Sequence, residues 1–109
     1  MIQKKYVKSR DSYKITFKIP ASELPEAIEV TAVSVVGSFN DWDPAANPMQ
    51  LTKKGVFQTT IELAPHQSYQ FRYLANGDKY FNAWQADGYI GNGLGEENCV
   101  INIEADIKA

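Results

Sequence analysis

The sequence predicts an all-β domain, an antiparallel β-sandwich of about seven to eight strands. Three observations carry that expectation. Apolar and polar side chains alternate with a period of two in one segment after another, the pattern of strands with one dry and one wet face. No window of about ten residues or more carries an apolar stripe at helical spacing. Turn-forming residues punctuate the chain at short intervals: Pro20 to Pro25, Asp43 to Pro48, Lys53-Lys54-Gly55, Ala64-Pro65, Asn76-Gly77-Asp78 and Gly91-Asn92-Gly93. Short strands at this turn spacing describe two packed sheets, immunoglobulin-like in architecture.

In chain order, Ile2 to Val7 reads as an extra edge strand. Ser12 to Ile19 sets Tyr13, Ile15, Phe17 and Ile19 against Lys14, Thr16 and Lys18. Glu29 to Val36 is apolar on both faces, as expected of a central strand. At Gly37 this strand runs into Ser38-Phe39-Asn40-Asp41-Trp42-Asp43-Pro44. Glycine there suits the backbone angles a strand exit often needs, and short Asn40 and Asp41 side chains can bond back to their own backbone. Gly55 to Leu63 turns Phe57, Thr59, Ile61 and Leu63 to one side. Ser68 to Ala75 turns Tyr69, Phe71 and Tyr73 inward and Gln70, Arg72 and Leu74 outward. Asn76-Gly77 is a strong hairpin signal that returns Lys79 to Asn82 beside the preceding strand. Asn98 to Glu104 closes the domain with Cys99, Ile101 and Ile103 on its apolar face.

A chain of 109 residues is the size of one domain, and no linker, repeat or low-complexity tract divides it. The net charge of −2 and the pI near 5.3 argue against a nucleic-acid or anionic-membrane partner, for which a basic footprint is expected. Lys4, Lys5, Lys8 and Arg10 do cluster, but Ile2, Tyr6 and Val7 interrupt them, and a solvated strand face is the expected reading. Cys99 is the single cysteine, so no internal disulfide forms. Neither a leader nor a membrane span is visible, which makes the cytoplasm the default location.

The residues that usually carry chemistry are poorly placed for it. His66 follows Pro65 in a turn, with nothing marking a cleft or partners for a catalytic set. Cys99 has no histidine or second cysteine at metal-ligand spacing and reads as a core thiol. Gly91-Asn92-Gly93-Leu94-Gly95 shares only its glycines with a phosphate loop and leads into a strand, so a flexible loop is expected. Glycoside hydrolysis needs two carboxyls flanking a bond within a cleft. Asp41, Asp43, Glu96 and Glu97 supply carboxyls, but a small two-layer sandwich leaves little room for an enclosing cleft. The expectation is a non-enzyme without metal or cofactor.

What remains is a set of residues for one exposed face. Trp42 offers a flat ring with an N–H at its edge. Arg72 faces outward, Lys79 and Tyr80 lie just across the hairpin turn, and Leu94, Glu96 and Asn98 lead into the last strand. Aromatic faces, long polar side chains and an amide are the inventory of a polyol-binding surface. Each residue also has a plainer reading. Trp42 and Tyr80 fit a satellite core equally well. Arg72 would be a solvated sheet residue, Leu94 a plug under its loop, and Asn98 a cap on its own backbone. Trp84 is open in the same way, and Trp84 to Asp87 fits a fold over the sandwich edge.

Gly37-Ser38-Phe39-Asn40-Asp41-Trp42 resembles a G-x-F-N-x-W signature, Phe71 to Gly77 resembles a Y/F-K/R-F/Y-x-x-x-G hairpin, and Leu94-Gly95-Glu96-Glu97-Asn98 resembles an L/F-G-x-x-N ending. Met in this order, and spanning about residues 30 to 103, they resemble the family-48 carbohydrate-binding modules. These include the glycogen-binding domain of the AMP-activated protein kinase β-subunit and the N-terminal early-set domains of isoamylases and branching enzymes. The resemblance implies non-catalytic binding of an α-1,4-glucan of glycogen or starch type. It implies stacking on Trp42 and on Tyr80, which falls where glycogen-binding members carry a second Trp. Arg72 falls where they carry a lysine, Leu94 where a leucine meets the glucan, Asn98 at the terminal amide, and Glu96 where kinase-type domains have Thr. Many enzyme-attached members serve mainly as packing partners of a catalytic barrel. The alternative expectations are therefore a protein-interaction domain docking on a glycogen-metabolising enzyme, or a glycoside-hydrolase relative without its own activity.

Overall fold

The computed structural model describes residues 2–27, 29–83, 86–91, 93 and 95–103. Among them run nine strands: β1 (Ile2–Val7), β2 (Ser12–Ile19), β3 (Val33–Gly37), β4 (Gln50–Leu51), β5 (Phe57–Leu63), β6 (Gln67–Ala75), β7 (Lys79–Phe81), β8 (Gly88–Gly91) and β9 (Glu97–Ile103). They form two antiparallel sheets, β1-β2-β5-β4 and β3-β6-β9-β8, with β7 added beside β6. The architecture is the expected all-β, immunoglobulin-like sandwich. Short 3₁₀ turns follow β1 and β2, at Lys8–Arg10 and Ala21–Glu23.

The alternation read from the sequence sets the core. Ile15, Phe17 and Ile19 of β2 face Val33, Val35, Phe71, Tyr73, Cys99, Ile101 and Ile103 of the other sheet, and all are buried. Phe17 is the hinge between layers, with its ring centroid 5.1 Å from Phe71 and 6.4 Å from Tyr73, both edge-on. Burial pushes the Cys99 thiol up, and the sulfur accepts a bond from the Ala83 amide at 3.3 Å. It is a core thiol, as expected. The Tyr73 hydroxyl is buried without a hydrogen-bond partner among the described residues, and burial raises its pKa far above the ordinary phenol value.

Asn76 and Gly77 both adopt left-handed backbone, at φ 54° and 78°, as the primed hairpin turn between β6 and β7 requires. The Asn76 amide does more than turn the chain. Its Oδ1 accepts from the amides of Thr31 and Ala32 at 2.8 and 3.3 Å, and its Nδ2 donates to the Glu29 carbonyl. The Thr31 and Ala32 amides and the Glu29 carbonyl are thereby met by a side chain instead of a ladder, and β3 begins only at Val33. Nor is β3 central. It pairs with β6 on one side, while on the other the segment 47–49 covers its edge through Val35 N to Asn47 O and Met49 N to Val33 O. Two strands escaped the sequence reading: β4, of two residues, and β8, which includes the first glycine of the expected flexible loop.

The basic N-terminal segment is not uniformly solvated. Lys4 reaches across the sandwich to Asp87 at 2.6 Å and to the Asn102 carbonyl at 2.9 Å, tying β1 to the opposite sheet.

Candidate functional site

The loop that follows β3 is fixed by its own side chains. Asn40 accepts from the Gly37 amide through Oδ1 and donates through Nδ2 to the Val35 carbonyl and to Asn47 Oδ1. Ser38 N donates to the Gln70 carbonyl, and the Gln70 amide donates back to Ser38 Oγ, pinning the loop to β6. Gly37 itself has no left-handed backbone, contrary to the expected reason for a glycine there. A Cβ at this position would lie 2.4 Å from the Gln70 carbonyl oxygen and 2.9 Å from Phe39 and Phe71. The constraint is closeness of approach.

The left-handed residues come next. Asp41 and Trp42 sit at φ 58° and 59°, a conformation that costs a bulky residue about 1–3 kcal/mol. The turn is closed by the Trp42 amide, which donates to the Gly37 carbonyl at 2.9 Å. Asp43 then stops the chain with an Asx turn onto the Ala45 amide. Trp42 ends 38% exposed, and Tyr80 is 55% exposed. Neither ring belongs to the core cluster.

Tyr80 stands on the outward face of the five-stranded sheet, through its register partner Leu74. Register pairs Arg72 with Val36 and Leu74 with Ser34 and Tyr80, so these side chains share that face. Arg72, Val36 and Leu74 are nonetheless buried. Arg72 is not the solvated sheet residue that its phase suggests. Its Nε donates to Asn82 Oδ1 at 2.7 Å, its Nη1 donates to Glu96 Oε1 at 2.5 Å, and its guanidinium lies 5.3 Å from the Tyr80 ring centre. Asn82 is held in turn by donating to the Glu97 carbonyl. Asn98 donates to Gln70 Oε1 at 3.0 Å instead of capping its own backbone. Glu96 stays largely exposed.

Arg72, Tyr80, Glu96 and Asn98 therefore collect on or beside one sheet face, and Trp42 stands on the loop that Ser38 pins to Gln70 of the same strand as Arg72. Lys79 does not join them: its partner in register is the inward Ala75, so it projects to the opposite side from Tyr80. Leu94 and Trp84 lie outside the described residues. His66 is an exposed turn residue at φ 64°, as its sequence position implies. Gln70 and Asn82 were missed, although Gln70 carries the same outward phase as Arg72. Asn82 had no such signal, because it follows the short β7 and its contact with Arg72 depends on side-chain geometry.

A match to known families can now be set beside this geometry. The profile of Carbohydrate-binding module 48 (Isoamylase N-terminal domain) matches residues 24–90. The chain belongs to that family. Its match covers Trp42, Arg72, Lys79 and Tyr80 and stops before Leu94, Glu96 and Asn98. Carbohydrate-binding module 48 is a class of carbohydrate-binding, non-catalytic modules, and the exposed rings of Trp42 and Tyr80 suit such a role. Arg72, Asn82, Gln70 and Asn98 add donors and acceptors to that face, already oriented by one another.

Proposed function

We propose that this module binds α-1,4-glucan, of glycogen or starch type, on the outward face of its five-stranded sheet and catalyses nothing itself. The observation that carries the proposal is Trp42. A bulky side chain on left-handed backbone, its amide tied to Gly37 and its ring partly in solvent, is an expense that packing alone does not explain. On this reading Trp42 and Tyr80 stack on sugar rings. Arg72, backed by Asn82, orients Tyr80, while Glu96 and the Gln70–Asn98 pair meet hydroxyls.

Titration with maltoheptaose and glycogen, with a cellulose oligosaccharide as control, tests it. Trp42→Ala should weaken maltoheptaose binding by about 1–3 kcal/mol, on the scale known for stacking of flat rings on aromatics. Its melting should shift far less than the ~3–5 kcal/mol of a core aromatic truncation implies. Tyr80→Ala should act alike, and Tyr80→Trp should strengthen binding by enlarging the face. No affinity of the parent for any α-glucan, with Ala variants that unfold readily, would return both rings to a structural role. Sustained release of sugar from glycogen, abolished by replacing one carboxylate, would overturn the non-catalytic part.

A further inference from the structure

An arginine on a sugar-binding face is ordinarily the group that attracts phosphate, because its planar fork matches a phosphate edge. Arg72 is already engaged by neighbouring side chains. Its Nε is engaged by Asn82, Nη1 by Glu96, and the plane lies over Tyr80. The side chain is only 11% exposed, whereas that of Glu96 is 59% exposed. A ligand descending on the face thus meets the carboxylate, not the guanidinium. We propose that the Arg72–Glu96 pair makes this face selective for uncharged glucan and turns away chains that carry phosphate.

The proposal rests on the α-glucan reading of the same face and specifies which glucans it takes. A glucose hydroxyl donates as readily as it accepts, so it bonds to the Glu96 carboxylate and leaves the ion pair in place. A phosphate monoester is mostly the dianion at neutral pH and offers such a proton only in its minor monoanionic form. To take the place of Glu96 on Arg72 it must break that ion pair, and to bind beside it must hold two like charges close together. The exposed Asp41 and Asp43 flank Trp42 with the same sign. Lys79 supplies no nearby compensation, since its register sends it to the other side of the sheet.

The test is a calorimetric titration of the full chain with maltoheptaose and with maltoheptaose bearing 6-phosphate groups. At about 0.05 M salt the phosphorylated chain should bind roughly three- to tenfold more weakly, the size expected for like charges about 5 Å apart in a water-like medium. The gap should close at about 1 M salt, where screening reaches only ~3 Å. Glu96→Gln keeps an acceptor for Arg72 and removes the charge, so it should narrow or invert the ratio of the two affinities, whatever happens to either one. Equal binding of both ligands at low salt, or a gap that neither salt nor Glu96→Gln alters, would overturn the inference while leaving the α-glucan reading standing. Failure of maltoheptaose itself to bind would sink that reading and this one together.

Discussion

Each sheet carries an arginine–glutamate pair on its outward side, and the two pairs live in different surroundings. On the four-stranded sheet Arg10 Nε meets Glu62 at 2.8 Å with both side chains well exposed, 54% and 36%. Around them stand Lys14 and Lys5, directly opposite each other in register, and the Thr16–Thr60 hydroxyl pair. This is an ordinary solvated face, and it even tolerates a like-charge pair that register places in contact. On the five-stranded sheet the arginine is buried, and two apolar outward side chains, Val36 and Leu74, are buried with it. Outward phase means solvent on one face and something closer to an interior on the other. The difference comes from β7 and the residue that follows it, which bring Tyr80 and Asn82 to Arg72. The four-stranded sheet's outward face has no comparable cover among its described contacts.

The sharpest way to break that contrast is at a glycine. Gly37→Ala puts a Cβ against the Gln70 carbonyl, a backbone atom that cannot swing aside. Overpacking of this kind should cost about 3 kcal/mol and should also disturb the Trp42 turn that hangs on the Gly37 carbonyl. Gly55, in the turn before β5, has open space around it but sits at φ 79°. Gly55→Ala should cost only about 1 kcal/mol, the strain of a left-handed alanine. Denaturant unfolding of the two variants measures the pair, and equal losses would show that the loop is free to yield.

Arg72→Ala against Arg10→Ala is the next test. Losing Arg72 leaves Asn82 Oδ1 without its donor and removes buried packing, so stability should fall by about 2 kcal/mol, in the range for hydrogen bonds to charged groups. Arg10→Ala should shift the unfolding midpoint only slightly, since exposed ion pairs contribute little. A midpoint for Arg72→Ala as little shifted as that for Arg10→Ala would mean that the five-stranded sheet's face is no more built than its counterpart.

The sandwich was legible because period-two alternation is a direct record of which side chains face the core. Tyr13, Ile15, Phe17 and Ile19 could be assigned inward from spacing alone, as could Cys99, Ile101 and Ile103. Errors arose where side chains replaced ladders. Residues 29–32 look like strand, yet Asn76 takes their hydrogen bonds, and no local pattern announces an amide forty-odd positions away. Gly37 was flagged for the wrong reason, since its neighbours in space, Gln70 and Phe71, are set by register. The candidate site was legible only as an inventory of expectations, Trp42, Arg72, Tyr80, Glu96 and Asn98 among them. Their mutual arrangement was not, because phase gives a side chain's direction but not its burial. Lys79 shows the limit most plainly, for adjacency to Tyr80 in a strand means the opposite face.

The smallest effect expected is a pH dependence on the solvated face. Hydrogen bonds from Arg10 and then from Ser12 hold the Glu62 carboxyl below its ordinary value. A carboxyl depressed in the folded state stabilises the fold fully above its unfolded value, about 4.3, and loses that contribution as pH falls through the lower folded value. Glu62→Gln should therefore match the parent in slope near neutrality and lose less stability than the parent between about pH 5 and pH 3. Because the pair is exposed, about 1 M salt should shrink the difference further. Urea midpoints of parent and variant across that range read it directly. A parent curve that parallels Glu62→Gln through the acid range would show that this arginine–glutamate pair is not formed in solution, and the contrast with Arg72–Glu96 would then be one of presence against absence.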